Sequence, residues 1–443
     1  MYDLIGVFGL GQADSIANGV MDAGLPQISI PWVPASPPET SMNGRLVTSI
    51  VEGGGSQLLT LADTPSVSSS NILIRHDDTD AINSYLAVSA HAEFPAGTFN
   101  VGHVIIPSSR SSLTGAGRGT IFKGWGALNA VVSASNSPRG LYIENITVKP
   151  TAWHNQMGIL LDGAKSCAIR DCFLSGNLPI IISKSSFCQI HNNTIEDWID
   201  SGIFDVGGNA NTIDNNIILQ GCNAIPQNTA AIHTYNTSSD IISSNKSYGF
   251  HVYSVKCQNG SQNIVRDNYS TNSWCESYHF SGNVSGSRIT GNTMFGGIYC
   301  MDYAISISND HVDNAVMFAN EISNNYIYQC GTAAIAVVEF GGLNAKISYT
   351  VIKGNTVYGA NSNQQPNMPE IHINGTGVSN TYLSDHHSFS HANSDYVVKE
   401  DNAIYGYPSH TQVGTIFGDG GYAGISLLPG SGSTRLMGGG TGI

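Results

Sequence analysis

The chain has 443 residues, with 18 Lys+Arg against 32 Asp+Glu and a formal net charge of −14. So acidic a balance excludes nucleic-acid phosphate or an anionic membrane surface as the main partner. Charged residues make up only 11% and Gly numbers 50, which excludes a mainly helical protein and points to strands and turns; 41% apolar content is enough for a continuous core.

In chain order, residues 1–70 are Gly-, Pro- and Ser-rich, with Pro31-Trp-Val-Pro-Ala-Ser-Pro-Pro38 and Gly53-Gly-Gly55, and read as an attachment region, an irregular arm or an N-terminal cap. No Lys or Arg precedes Arg45, so the basic start of a secretory signal is not expected. Apolar runs are too short for a membrane helix. In His76-Asp-Asp-Thr-Asp-Ala-Ile-Asn-Ser-Tyr-Leu86, Asp78 is placed to cap a short helix carrying Ile82, Tyr85 and Leu86 on one face. That helix would cover the open end of whatever follows. Next come Phe94-Pro-Ala-Gly-Thr-Phe99, Val104-Ile-Ile-Pro107 and Leu113-Thr-Gly-Ala-Gly-Arg-Gly-Thr-Ile121. The glycines of the last lack the strand-to-helix setting of a phosphate loop and read as turn residues.

A repeat then governs the chain: Ile190-His-Asn-Asn193, Ile213-Asp-Asn-Asn216, Ile242-Ser-Ser-Asn245, Val265-Arg-Asp-Asn268, Ile289-Thr-Gly-Asn292, Ile322-Ser-Asn-Asn325 and Ile352-Lys-Gly-Asn355. Weaker copies end at Asn145 and Cys172, and Leu383-Ser-Asp-His386 is a degenerate last one; gaps from Asn145 to Asn355 are 27, 21, 23, 29, 23, 24, 33 and 30. A period in the twenties built from short alternating segments predicts a parallel β-helix. Asn suits its sharp corners, because it tolerates the left-handed conformation, and stacked Asn side chains can hydrogen-bond from rung to rung. The eight cysteines, from Cys167 to Cys330, read as core thiols, since a core of this size needs no disulfide staples.

The opening helix, the Pro-Ala-Gly-Thr-Phe strand and the Leu-x-Gly-x-Gly-x-Gly-Thr-Ile segment, followed by rungs, resemble pectate-lyase-type right-handed β-helices. Bacteriophage tailspikes with polysaccharide depolymerase domains are similar in particular, over about residues 72–400. The resemblance implies an all-β, single-stranded right-handed parallel β-helix over residues 71–402 with its N-terminal cap. Residues 1–70 would dock onto other virion tail proteins, and the Gly-rich 403–443 would hold a homotrimer. It further implies a bacterial surface polysaccharide, capsule or lipopolysaccharide, bound and depolymerised by a virion protein made in the host cytoplasm without a signal peptide. A non-catalytic receptor-binding tail protein and a bacterial polysaccharide lyase or epimerase remain alternatives on the same fold.

No His-Glu-x-x-His, Cys-x-x-Cys, Gly-x-Ser-x-Gly or EF-hand pattern occurs, so no metal or cofactor is expected and the site must be assembled across rungs. Aligning the strand after each corner places Asp205, His233, His251, Tyr253, His279, Asp302, Glu339 and His372 on one outer face, subject to a one-residue register slip. Two chemistries fit. Asp302 with Glu339, or Asp205 with another carboxylate, would form a glycosidase pair about 5–10 Å apart. Alternatively His233, Tyr253 and His279, with His251 also lining the groove, would serve an elimination beside a uronate carboxylate, and Lys256 or Arg266 would neutralise it. Trp153, Trp198, Trp274, Tyr253 and Tyr299 are candidates for stacking on sugar rings or for packing.

Overall fold

In the computed structural model, residues 78–387 are described apart from 103, 125–129, 151–156, 220, 222–229, 250, 272, 274, 297–302, 341–343 and 361–368; beyond that range only the backbones of some strands are described. Two compact units divide the chain: Met1–Asp162 with Cys167–Ile180, and Gly163–Ser166 with Ile181–Ile443.

In the first unit, the Gly/Pro-rich opening holds an antiparallel sheet of Gly19–Met21, Gln27–Pro31, Val47–Gly53, Ser56–Leu61 and Ser69–Ile72. The expected helix spans Thr79–Val88 and buries Ile82 and Leu86, whereas Tyr85 is 40% exposed. Asp78 does not cap it through its side chain. Its Oδ2 instead accepts from the Asn100 backbone N–H at 2.8 Å, tying the helix start to the strand Gly97–Val101. Beneath lies a cluster of Phe94, Phe99 and Phe122, ring centroids 5.3–5.6 Å apart. Parallel rungs then build up, His91–Phe94 pairing with Ser112–Gly115 and on to Tyr142–Glu144 and Ala168–Arg170. Gly115 is required there, because a Cβ would stand 2.4 Å from the Asn145 carbonyl oxygen.

The second unit is a right-handed parallel β-helix, the hand expected of parallel crossovers. Each full turn contributes one strand to each of three parallel sheets. In sheet I, Ile190, Ile213, Ile242, Val265, Ile289, Ile322, Ile352 and Leu383 point inward and are almost wholly buried, with each strand from Ile213 onward in register with its predecessor. After each comes a corner, a strand of sheet II, a longer connection and a strand of sheet III. The strands Gln412–Val413, Ile416–Gly418 and Ile425–Ser426 continue sheets I, II and III past residue 402.

The corner divides its work between two residues. The left-handed conformation falls on the residue before the recurrent Asn: Asn192, Asn215, Ser244, Asp267, Gly291, Asn324 and Gly354 all have φ between 54° and 67°. The recurrent Asn itself turns inward and is buried. From Asn193 through 216, 245, 268, 292 and 325 to Asn355, each backbone N–H and each side-chain amide donates to the next Asn Oδ1 at 2.9–3.0 Å. The column is polar yet satisfied, as a buried amide must be. A second ladder stands two residues before the sheet I aliphatic: the N–H groups of Cys188, Asn211, Asp240, Asn263 and Ser287 donate to side-chain oxygens of Asn211, Asp240, Asn263, Ser287 and Asn320.

Candidate functional site

Sheet III brings one column of outward residues into register: Phe204, His233, Lys256, His279, Ser306, Ala336 and His372. His233, His279 and His372 therefore lie on the face expected for them. Asp205 does not. Pairing sets Ile203 opposite Ile232, so Asp205 takes the inward parity beside Thr234 and is wholly buried. Its Oδ2 accepts from Asn211 Nδ2 at 2.8 Å. Burial first, then the neighbouring Asp240, pushes its carboxyl well above the usual range, and burial raises Asp240 to about 6. A carboxyl enclosed there has no path to a polymer, so Asp205 is removed from the catalytic candidates.

The other expected positions scatter. Asp302 lies outside the described residues, as do Trp153, Trp274 and Tyr299. Glu339 follows the strand Ile335–Val338, and its Oε2 accepts from the Gly377 N–H and the Thr376 hydroxyl at 3.2 Å, so it secures a turn. His251 precedes its strand rather than facing the groove; it is 4% exposed, bonded through Nε2 to the Ser254 hydroxyl at 2.9 Å, and pushed down to about 4 by burial. Trp198 is core, its Nε1 donating to the Leu219 carbonyl. Arg266 lies on sheet I, 4.0 Å from Asp267.

What does converge is centred on Lys256. This side chain is 1% exposed, and its Nζ donates to Asp310 Oδ2 at 2.9 Å. Tyr253, at the start of the same strand, lays its ring 4.9 Å from Nζ and 5.1 Å from the His279 ring. His279 Nε2 is 2.9 Å from the Ser308 hydroxyl, and its Nδ1 faces Glu276 Oε2 at 3.8 Å. Ser306 donates to the other Glu276 oxygen at 3.3 Å. Burial and then the Lys256 charge push His233 down to about 4 and His279 down to about 3. Burial works to raise Asp310, but the Lys256 ammonium prevails and holds it below the usual carboxylate range. Neutral imidazoles beside a buried cation form a setting for proton transfer next to a bound anion. Asp310, Glu276 and Ser308 were missed in the sequence because they neither recur nor form a local motif; Ser308-Asn-Asp-His311 directly after a strand was the available signal.

A model for the family "Periplasmic copper-binding protein (NosD)" matches residues 110–273, fewer than half of the 443. Among the described residues no three His, Cys, Asp or Glu side chains come together at metal-ligand geometry. No curated protein matches the sequence. Among solved structures, the A-module of the mannuronan C-5 epimerase AlgE4 of Azotobacter vinelandii is similar at 14% identity and TM-score 0.53, covering 76% of this chain and 96% of that one. The tailspike of E. coli bacteriophage HK620, solved with a pentasaccharide, matches at 9% identity and TM-score 0.54, covering 79% and 74%. The Agl-KA catalytic domain matches at 13% identity and TM-score 0.53, covering 85% and 75%. These likenesses are of fold, which this chain shares with tailspikes and other β-helix proteins that act on polysaccharides.

Proposed function

We propose that this protein is a tailspike-type depolymerase that binds a uronate-bearing bacterial surface polysaccharide and cleaves it by elimination at the outer face of sheet III. The observation that carries this reading is Lys256, a buried cation held by Asp310 between His233 and His279 with the Tyr253 ring beside it. A uronate carboxylate entering at the Asp310 and His233 rim, where exposure remains, meets the Lys256 ammonium. That contact acidifies the C5 proton. It also offsets the charge that, with burial, holds both imidazoles low, so their basicity rises when substrate is bound. An imidazole takes the C5 proton, the C4–O bond breaks as the C4–C5 double bond forms, and the Tyr253 hydroxyl protonates the departing oxygen. Attachment to the virion through residues 1–70 and homotrimer assembly through 403–443 belong to the same proposal.

Among the described residues hydrolysis has less support, because Asp205 is enclosed and Glu339 accepts its bonds from a turn; Asp302 lies outside them. Returning the proton to the opposite face without breaking the C–O bond would be epimerisation. The test is to incubate the protein with alginate, polygalacturonate and capsule preparations, following reducing ends and the ultraviolet absorbance of the unsaturated uronate together. Elimination raises both in step; new reducing ends without absorbance mean hydrolysis, and binding without either means an adhesin.

A further inference from the structure

Sheet II carries a surface of a different kind. In its strands Tyr269–Thr271, Thr293–Phe295, Tyr326–Tyr328 and Thr356–Tyr358, the central residues Ser270, Met294, Ile327 and Val357 are buried. Every outward residue is Tyr, Phe or Thr. The strands are in register, so these side chains form two adjoining columns. Ring centroids follow one another from Tyr248 to Tyr269 at 5.7 Å, to Phe295 at 5.7 Å, to Tyr328 at 5.4 Å and to Tyr358 at 6.3 Å. Phe295, Tyr326 and Tyr328 are 36–37% exposed.

Strand propensity does not account for this choice. Val and Ile form strands as readily as Tyr, Phe and Thr, yet neither occupies any of these outward positions while both are used inward. Nor is it an ordinary solvated face: on the same rungs sheet I carries Arg288, Glu321 and Lys353, paired at 3.1–3.6 Å. A subunit interface would also favour aromatic side chains, and the oligomeric mass of the variants below separates that occupant from a glycan.

We infer that the outer face of sheet II is a second, non-catalytic glycan-binding platform, which takes the apolar faces of successive pyranose rings on Tyr269, Phe295 and Tyr328 and their hydroxyls on the interleaved threonines. The inference rests in part on the polysaccharide reading above but needs neither Lys256 nor turnover. One ring per rung, with centroids 5.4–5.7 Å apart from Tyr269 through Phe295 to Tyr328, is close to the length of one pyranose in an extended glycan. The four strands from Tyr269 to Tyr358 carry no charged side chain, although Lys246 flanks them beside Tyr269; binding through ring stacking tolerates salt that would weaken contacts made through Lys256.

The experiment is native affinity electrophoresis of the full chain through gels containing hydroxyethyl cellulose, dextran, alginate or a capsule preparation. Phe295→Leu/Tyr328→Leu keeps apolar bulk and removes both flat rings, and a second pair, Phe295→Ala/Tyr328→Ala, is run beside it, each with its circular dichroism. At least one polymer is expected to retard the wild type, still at about 1 M salt where the Debye length is near 3 Å. Both pairs of substitutions are expected to weaken retardation about tenfold or more, including retardation by hydroxyethyl cellulose or dextran, which carry no carboxylate. Retardation by none of the polymers overturns the inference, as does retention of wild-type affinity by either folded double variant. A fall in oligomeric mass on light scattering in those variants also overturns it, and makes the face a subunit contact instead.

Discussion

Lys256 Nζ reaches Asp310 Oδ2 at 2.9 Å although the two lie 54 residues apart in sequence, on strand and connection of different rungs. The lysine is enclosed and the aspartate 28% exposed, so the pair presents a fixed cation at depth with its counter-ion at the rim. If that cation receives the substrate carboxylate, Lys256→Met should lower kcat/KM at least about 100-fold, the scale of losing a preorganised electrostatic contact. Asp310 can regain water, so the loss of stability should stay within about 2 kcal/mol, read from urea unfolding.

Asp205 and Asp240 make a pH-dependent contribution whose sign is fixed. Both carboxyls are raised in the folded state, so the fold binds more protons than the unfolded chain and loses stability as pH rises above about 4, for Asp240 through about 6. Asp205→Asn keeps an acceptor for Asn211 and gives Asp240 a donor. The variant should melt a few degrees above wild type at about pH 8, and the gap should close near pH 4. The buried His233, His251 and His279 act in the opposite sense, costing stability as pH falls from 6.5 toward about 4 for the first two and about 3 for His279, but they are common to both proteins and cancel in the difference.

Within the Asn ladder, Asn268 accepts from the backbone and side chain of Asn245 and donates to the Ile242 carbonyl and to Asn292. Asn268→Ala strands several of those buried groups and should cost roughly 3 kcal/mol in chemical unfolding. The neighbouring corner position obeys a different rule. Asn324, at φ 54° and exposed, should accept Gly with little change, while Asn324→Val should cost about 1–2 kcal/mol, because a β-branched residue resists the left-handed conformation.

The rung architecture was legible because Ile-x-x-Asn recurs wherever a corner and a buried amide are needed together, and the same repetition foretold the ladder. The separation of the two duties between Asn192 and Asn193, or Asn215 and Asn216, was not legible, since adjacent asparagines carry no label of conformation. The second ladder was written in Asn211, Asp240, Asn263 and Asn320 at a fixed distance before each sheet I aliphatic, but its mixed residue types hid it. Asp205 shows where pattern reading fails: Phe204 and Asp205 could each face outward, and only the pairing of Ile203 with Ile232 decides. Asp310 and Glu276 reach the site from connections, where no periodicity reports on position.

The measurement that tests the central claim most directly compares a cleaved uronate polymer with the same polymer after chemical reduction of its carboxylates to alcohols. Lys256 chemistry predicts that the native polymer is shortened with a rise in unsaturated product and that the reduced polymer is left intact. Equal shortening of both would show that no carboxylate is engaged, and would contradict the role assigned to Lys256.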